Sequence, residues 1–198
     1  MIDNYLKIKE LLNFEEEGDF YMLLVLKRKK DQPEEERENH QSVRTIKTYC
    51  IESIEDLDKR YDEIKNLCSI FNARAYIHVS RQNHKDVGLL MIEALAERIR
   101  NGVIRHKHIF DSVVGQVKIR DKRWIVDIDD PQDGQIDDII ICINSLQPID
   151  EDKIIAQIPT KNGIHLITKP FNKSEFHKIH GNIDIHKTNP TLLFCPDQ

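Results

Sequence analysis

The chain has 198 residues, 39% of them hydrophobic and 32% charged, with a net charge of −5 from 29 basic and 34 acidic residues. This is one large domain or two small lobes with enough apolar material for a core, which excludes a string of domains and a wholly disordered chain. No apolar run approaches the roughly 20 residues of a membrane span, and the opening MIDNYLKIKELLNF is interrupted by charges, unlike a signal peptide.

From Asp19 to Lys30 the β-branched and aromatic content predicts a strand. A polar loop with a proline, Asp31 to Ser42, separates it from Val43–Ile51, whose alternation predicts a half-buried partner strand in a hairpin. Ser53 is positioned as an N-cap, with Asp56 three residues on, for a helix carrying Ile54, Leu57, Tyr61, Ile64, Leu67 and Cys68 at helical spacing up to Asn72. Ala73–Val79 reads as a strand. His84–Asn101 reads as a second amphipathic helix, with Val87, Leu90, Met91, Ala94, Leu95, Arg98 and Ile99 on one side and Gly102 as its stop.

Arg105 to Lys122 predicts a short helix and a strand. Trp124–Ile128 reads as a buried strand and Ile136–Leu146 as a helix. Ile154–Ile158 and Ile164–Thr168 read as strands joined at Pro159 to Gly163, Lys173–Ile179 as a short helix, and Asn182–Ile185 and Thr191–Phe194 as strands. Strands and helices are mixed rather than strictly alternating. The pattern predicts an α+β fold, with helices packed on mixed or antiparallel sheets in two small lobes, 1–104 and 105–198, within one compact unit.

Three stretches carry possible chemistry. In Arg123-Trp-Ile-Val-Asp-Ile-Asp-Asp130, strand geometry puts Asp127 and Asp129 on one face, where paired carboxylates suit Mg²⁺ or Mn²⁺; solvated aspartates at a strand end would read the same way. In Pro159-Thr-Lys-Asn-Gly-Ile-His165, the Thr160 hydroxyl, the Lys161 ammonium and amides near Gly163 could hold phosphate oxygens, with His165 in reach; a plain hairpin turn fits equally. In Gly181-Asn-Ile-Asp-Ile-His-Lys187, Asp184 could add a third carboxylate and shares its face with His186 but not Lys187; an edge strand facing water is the other reading.

In this order the three stretches resemble the catalytic core of the archaeo-eukaryotic primase superfamily, in particular its small primase-polymerase branch. The match is Ile-Val-Asp127-Ile-Asp129, then Gly163-Ile-His165, then Ile183-Asp184. The strand ARAYIHVSR ending at Arg81, and Thr-Leu-Leu-Phe-Cys-Pro196, are also similar to the family's pattern, so the likeness covers most of Ala73 to Pro196. The resemblance implies an RRM-like C-terminal lobe and a metal-dependent nucleotidyltransferase. Asp127, Asp129 and Asp184 would hold two divalent ions, Mg²⁺ or Mn²⁺, and His165 would contact the triphosphate with Thr160 and Lys161 as helpers. The implied partners are a nucleoside triphosphate, a single-stranded or primed nucleic acid and a replication protein, without a membrane.

Other classes stay open. The same side chains serve a metal-dependent nuclease, which needs no basic pocket for a triphosphate tail. A non-catalytic nucleic-acid or nucleotide binder would use Arg105, His106, Lys107, His108, Arg120, Lys122 and Arg123 as phosphate contacts. Overall charge is no guide: outside Glu15, Glu16, Glu17 and Asp19, and Glu34, Glu35, Glu36 and Glu38 with the intervening Arg37, there remain 28 of the 29 basic and 26 of the 34 acidic residues. The four cysteines, Cys50, Cys68, Cys142 and Cys195, lack paired spacing and read as reduced core thiols of a cytoplasmic protein.

Overall fold

The computed structural model describes residues 1–28, 32, 43–103, 109–119, 121–149, 153–181 and 183–197. Two antiparallel sheets and packed helices make an α+β fold. The long expected strands form: β2 (Asp19–Arg28) and β3 (Val43–Ile51) pair antiparallel, Tyr21 facing Ile51. The Asp31–Ser42 loop and the region of Arg105, His106, Lys107, His108 and Arg120 fall outside the described residues, Gln32 excepted.

The first sheet has the order β1-β10-β4-β2-β3, using β1 (Ile2–Asp3), β4 (Arg74–His78) and β10 (Pro190–Cys195). A two-residue strand, β5 (Gln82–Asn83), continues the β4 line along β2. Helix α1 (Tyr5–Leu11) was not evident in the sequence. Helix α2 (Ile54–Phe71) opens where the Asp56 N–H donates to Ser53 Oγ at 3.1 Å and ends at Asn72 in the left-handed conformation, φ 47°. It buries Leu57, Ile64 and Cys68 on one face of the sheet. The other face packs, at the Phe20 and Met22 end, against α3 (His84–Arg100) and α4 (Ile109–Val114). No strand forms between Val114 and Trp124 among the described residues.

The second sheet has the order β7-β8-β6-β9, all antiparallel. Its elements follow the chain as β6 (Trp124–Asp129), α5 (Gln135–Ser145), β7 (Ile154–Pro159), β8 (Gly163–Thr168), α6 (Lys173–Ile179) and β9 (Asp184–His186). This β-α-β-β-α-β order, with the first strand between the third and fourth, is the split arrangement of an RRM-like lobe. β6 reads as a near-continuous apolar run because both its faces are covered. Val126, Ile128, Leu166 and Ile185 pack under Ile139 and Ile143 of α5 and Phe176 of α6. On the opposite face Ile125, Ile158 and Ile167 join the core of the first sheet with Leu23, Ile77 and Leu193. Burying each such side chain fully contributes about 2 kcal/mol.

The two sheets do not divide the chain at residue 104. α4 lies on the first sheet, and β10, from the C-terminal end, sits between β1 and β4. The buried Asn4 amide ties the layers, donating to Pro159 O at 2.8 Å and Leu192 O at 2.9 Å. No helix among the described residues is long and apolar enough to cross a membrane. All four cysteines are free thiols, Cys68 and Cys195 buried and the other two half-buried. Burial pushes the Cys68 thiol up to about 12, so it stays protonated and unreactive at neutral pH.

Candidate functional site

The register of the second sheet assembles the three stretches. Asp127 faces His165 across the β6–β8 pair and Asp184 across the β6–β9 pair. Directly opposed residues point to the same face of a sheet, so His165, Asp127 and Asp184 form one row. Asp129 lies two residues along β6 on that face, opposite Gly163. His186 also shares the face, while Lys187 points away and lies over the Trp124 ring, 5.0 Å from its centroid.

The row opens into a cavity of about 590 Å³ between the two sheets. Its acidic wall holds Asp127, Asp129 and Asp184, with Thr160, Lys161 and Asn162 at the turn and His165 and His186 beside them. The facing wall comes from the first sheet: Leu26 and Arg28 of β2, Val43 of β3, Arg74 and Tyr76 of β4. Asn189, Pro190 and Leu192 complete it. Asp127, Asp129, Asp184, His165, Thr160 and Lys161 therefore border one space.

The half-buried Asp127 carboxylate is the centre of the polar contacts. Oδ1 lies 3.3 Å from His165 Nε2, and Oδ2 lies 3.9 Å from His186 Nε2. The hydrogen bond from His165 holds the carboxyl below the usual aspartate range; burial opposes this, and the charges of His165, His186 and Arg28 reinforce it. On its far side His165 Nδ1 is 2.9 Å from Thr191 Oγ1. A carboxylate only accepts, so Nε2 carries the hydrogen, and in the neutral ring the buried Thr191 hydroxyl donates to Nδ1. Thr191 thus fixes the tautomer and the ring orientation from the other sheet.

The turn before β8 is built tightly. Thr160 N–H donates to Gly163 O at 2.9 Å, Gly163 N–H to Thr160 Oγ1 at 3.1 Å, and Asp130 N–H to Asn162 O at 2.8 Å. The Gly163 amide is therefore used within the turn. The glycine is needed for another reason: a Cβ there would stand 1.9 Å from the carbonyl oxygen of Ile128. The Thr160 hydroxyl accepts in the turn and keeps its own hydrogen for donation.

Among the described residues no three His, Cys, Asp or Glu side chains form a ready metal cage. Asp127, Asp129 and Asp184 nevertheless carry carboxylate oxygens on one face, the donor type that a hard divalent cation takes. Mg²⁺ is commonly held by one or two carboxylates completed by water and substrate phosphate rather than by a protein cage.

Two other sequence candidates take structural positions. Arg123 is buried; it pairs with Asp121 at 2.7 Å and donates to Leu11 O at 2.8 Å, so it braces α1 rather than contacting phosphate. Lys122 is exposed on the rim of a separate open cavity. Residues not singled out in the sequence are Arg28, Arg74, Tyr76 and Thr191, all from the first sheet. The only local hint was the basic end of β2, Lys27-Arg28. Comparison of the chain with protein-family models, with curated proteins and with solved structures finds no match.

Proposed function

We propose that the cleft binds a nucleoside triphosphate with divalent metal and transfers its nucleotidyl group to the 3′-end of a nucleic-acid strand, as the primase-polymerase resemblance implies. The observation that carries this reading is the row His165–Asp127–Asp184 across three strands, with Asp129 and the Thr160–Asn162 turn at the same end of the cleft. A cavity of about 590 Å³ lies within the range of small-molecule sites, about 300 to 1,000 Å³. Arg28, Arg74 and Lys161 on its walls favour a polyphosphate ligand over the nuclease reading, which needs no basic groups beyond the metal.

In this reading the carboxylates of Asp127, Asp129 and Asp184 hold Mg²⁺ or Mn²⁺. The bound metal supplies charge neutralisation at the phosphates and lowers the pKa of the attacking hydroxyl. Lys161 and the Thr160 hydroxyl bind the triphosphate beside the turn, and Arg28 contributes from the opposite wall. His165, oriented by Thr191, donates from Nε2 toward anionic oxygen and is shared between Asp127 and the ligand. The transfer joins the 3′-oxygen to the α-phosphorus as pyrophosphate leaves with the electrons of the broken bond, and the hydroxyl proton passes to solvent.

A primer-extension assay tests this. The chain with Mn²⁺, a labelled primer–template and nucleoside triphosphates is expected to lengthen the primer. Asp127→Asn should lower the rate on the order of a hundredfold or more. A wild-type chain that extends neither DNA nor RNA primers contradicts the proposal.

A further inference from the structure

Helix α3 is apolar on two sides. Val87, Leu90, Met91 and Ala94 turn toward the sheet and pack with Phe20, Val113 and Val114. The sequence assigned Leu95 and Ile99 to that same side, but both face out. A second series runs along the outer surface: Leu89, Ile92, Ala96 and Ile99, continued past the helix end by Val103. Leu89 is 55% exposed, Ile92 66%, Ile99 62% and Val103 47%. One such residue in water is ordinary; a continuous row is not.

The spacing identifies what the row fits. Within the helix its steps are three, four and three residues, the 3.5-residue period of a seam between two helices rather than the wider stripe of a helix on a globular core. One border of the seam carries Asp86, Glu93 and Arg100, each seven residues apart; the other carries Gly88, Leu95 and Gly102. Lay two copies of α3 antiparallel so that Leu89 of one meets Ile99 of the other. Ile92 then meets Ala96, a large residue against a small one, and Asp86 of each copy meets Arg100 of the other. The two Leu95 side chains, each 36% exposed, meet at the two-fold axis and widen the apolar contact. A parallel pairing sets the charged border against Gly88, Leu95 and Gly102 and forms no charge pair. Antiparallel helix dipoles also attract.

We propose that the outer face of α3 is a self-association surface, through which two copies of the chain join by antiparallel α3 helices about a two-fold axis at Leu95. Such an interface is isologous, so one patch supplies both halves. Its unfavourable positions are Glu93, which faces its own copy near the axis, and the exposed Lys85, which stands at the N-terminal end of the seam.

Sedimentation equilibrium of the full chain, from micromolar to submillimolar concentration, tests it. The expected mass is twice the 23.3 kDa of the chain. Ile92→Glu combined with Ile99→Glu should sediment as monomer, with an unchanged circular dichroism spectrum and melting temperature at matched monomer concentration, because both positions are exposed. Asp86→Arg or Arg100→Asp alone should weaken the dimer, and the two together should restore it. Glu93→Gln should tighten it. A wild-type chain that stays at 23.3 kDa throughout, an Ile92→Glu, Ile99→Glu variant that keeps the doubled mass, or a charge exchange that fails to restore association would each overturn the proposal.

Discussion

Asp127 and His165 stand directly opposite each other across the β6–β8 pair, with the aspartate Oδ1 3.3 Å from the histidine Nε2. The same aspartate faces Asp184 across its other edge. A carboxylate in an apolar strand is costly to bury without a compensating partner. Here the partner lies on the neighbouring strand, and the open side of the group faces the cleft.

Thr191 reaches His165 from the first sheet, which makes it a positioning residue. Thr191→Val keeps the volume and removes the hydroxyl that bonds Nδ1. It should cost about 1 kcal/mol of stability and lower kcat about tenfold with little change in KM for the nucleotide. Steady-state kinetics beside a thermal melt check this; a lowered melting temperature with unchanged kcat would leave Thr191 a purely structural role.

At Gly163, β8 leaves no room for a side chain against the β6 backbone. Gly163→Ala places a methyl against the Ile128 carbonyl, so the strands must part. The expected loss is about 1 to 3 kcal/mol, as for other overpacked sites, with displacement of the Thr160–Asn162 turn. Urea denaturation reads the stability, and nucleotide affinity reads the turn.

Asp19 is buried and accepts from the backbone of Glu16 at 2.9 Å and Glu15 at 3.0 Å and from Asn83 Nδ2 at 2.9 Å, with Arg81 Nε at 3.2 Å. Burial works to raise its pKa, but Asn83, the two amides and Arg81 outweigh it and hold the carboxyl below the ordinary range. A group depressed on folding stabilises above its unfolded pKa, and that contribution disappears as the pH falls through the folded value. Asp19→Ala should therefore cost about 3 kcal/mol at neutral pH, and the gap from wild type should shrink below about pH 4. Urea midpoints across that range measure it.

Lys153 is fully buried, and its ammonium donates to Ile143 O at 2.9 Å, Asn144 O at 3.0 Å and Leu146 O at 2.7 Å. The last carbonyls of a helix have no partner within it, so this lysine caps the C-terminal end of α5. Lys153→Met strands the Asn144 and Leu146 carbonyls, leaves Ile143 O only the Leu146 N–H at 3.3 Å, and should cost about 3 kcal/mol, read by thermal or urea denaturation.

Much of this fold could be read locally. Alternation marked β3, the Ser53 cap marked α2, and Asn72 and Gly102 marked helix ends, because each signal depends on neighbours a few residues away. Helix α1 escaped notice because seven residues without a side-chain cap bond carry little periodic signal. The insertion of β10 between β1 and β4 depends on contacts across the whole chain, so no local pattern announced it. Leu95 and Ile99 were placed inward because α3 has two apolar stripes, and periodicity alone does not say which meets the core. At the site, the second-sheet residues were visible as aspartates and a histidine set among isoleucines. Arg28, Arg74 and Tyr76, which line the cleft, and Thr191, which reaches His165, were not, since they meet the second sheet only when the sheets pack together.

The central claim is that one cleft binds metal and nucleotide through the aspartate row. The most direct measurement is a thermal-shift titration with Mn²⁺ and a nucleoside triphosphate, comparing wild type with an Asp127→Ala, Asp129→Ala variant. At about a hundredfold excess over Kd, a ligand that binds the folded state adds about 2.7 kcal/mol. For a chain of this size that raises the melting temperature on the order of 5 °C or more. The account predicts such a rise for wild type only with both ligands present, and none for the variant. No rise in wild type at millimolar ligand, or an equal rise in the variant, would contradict it.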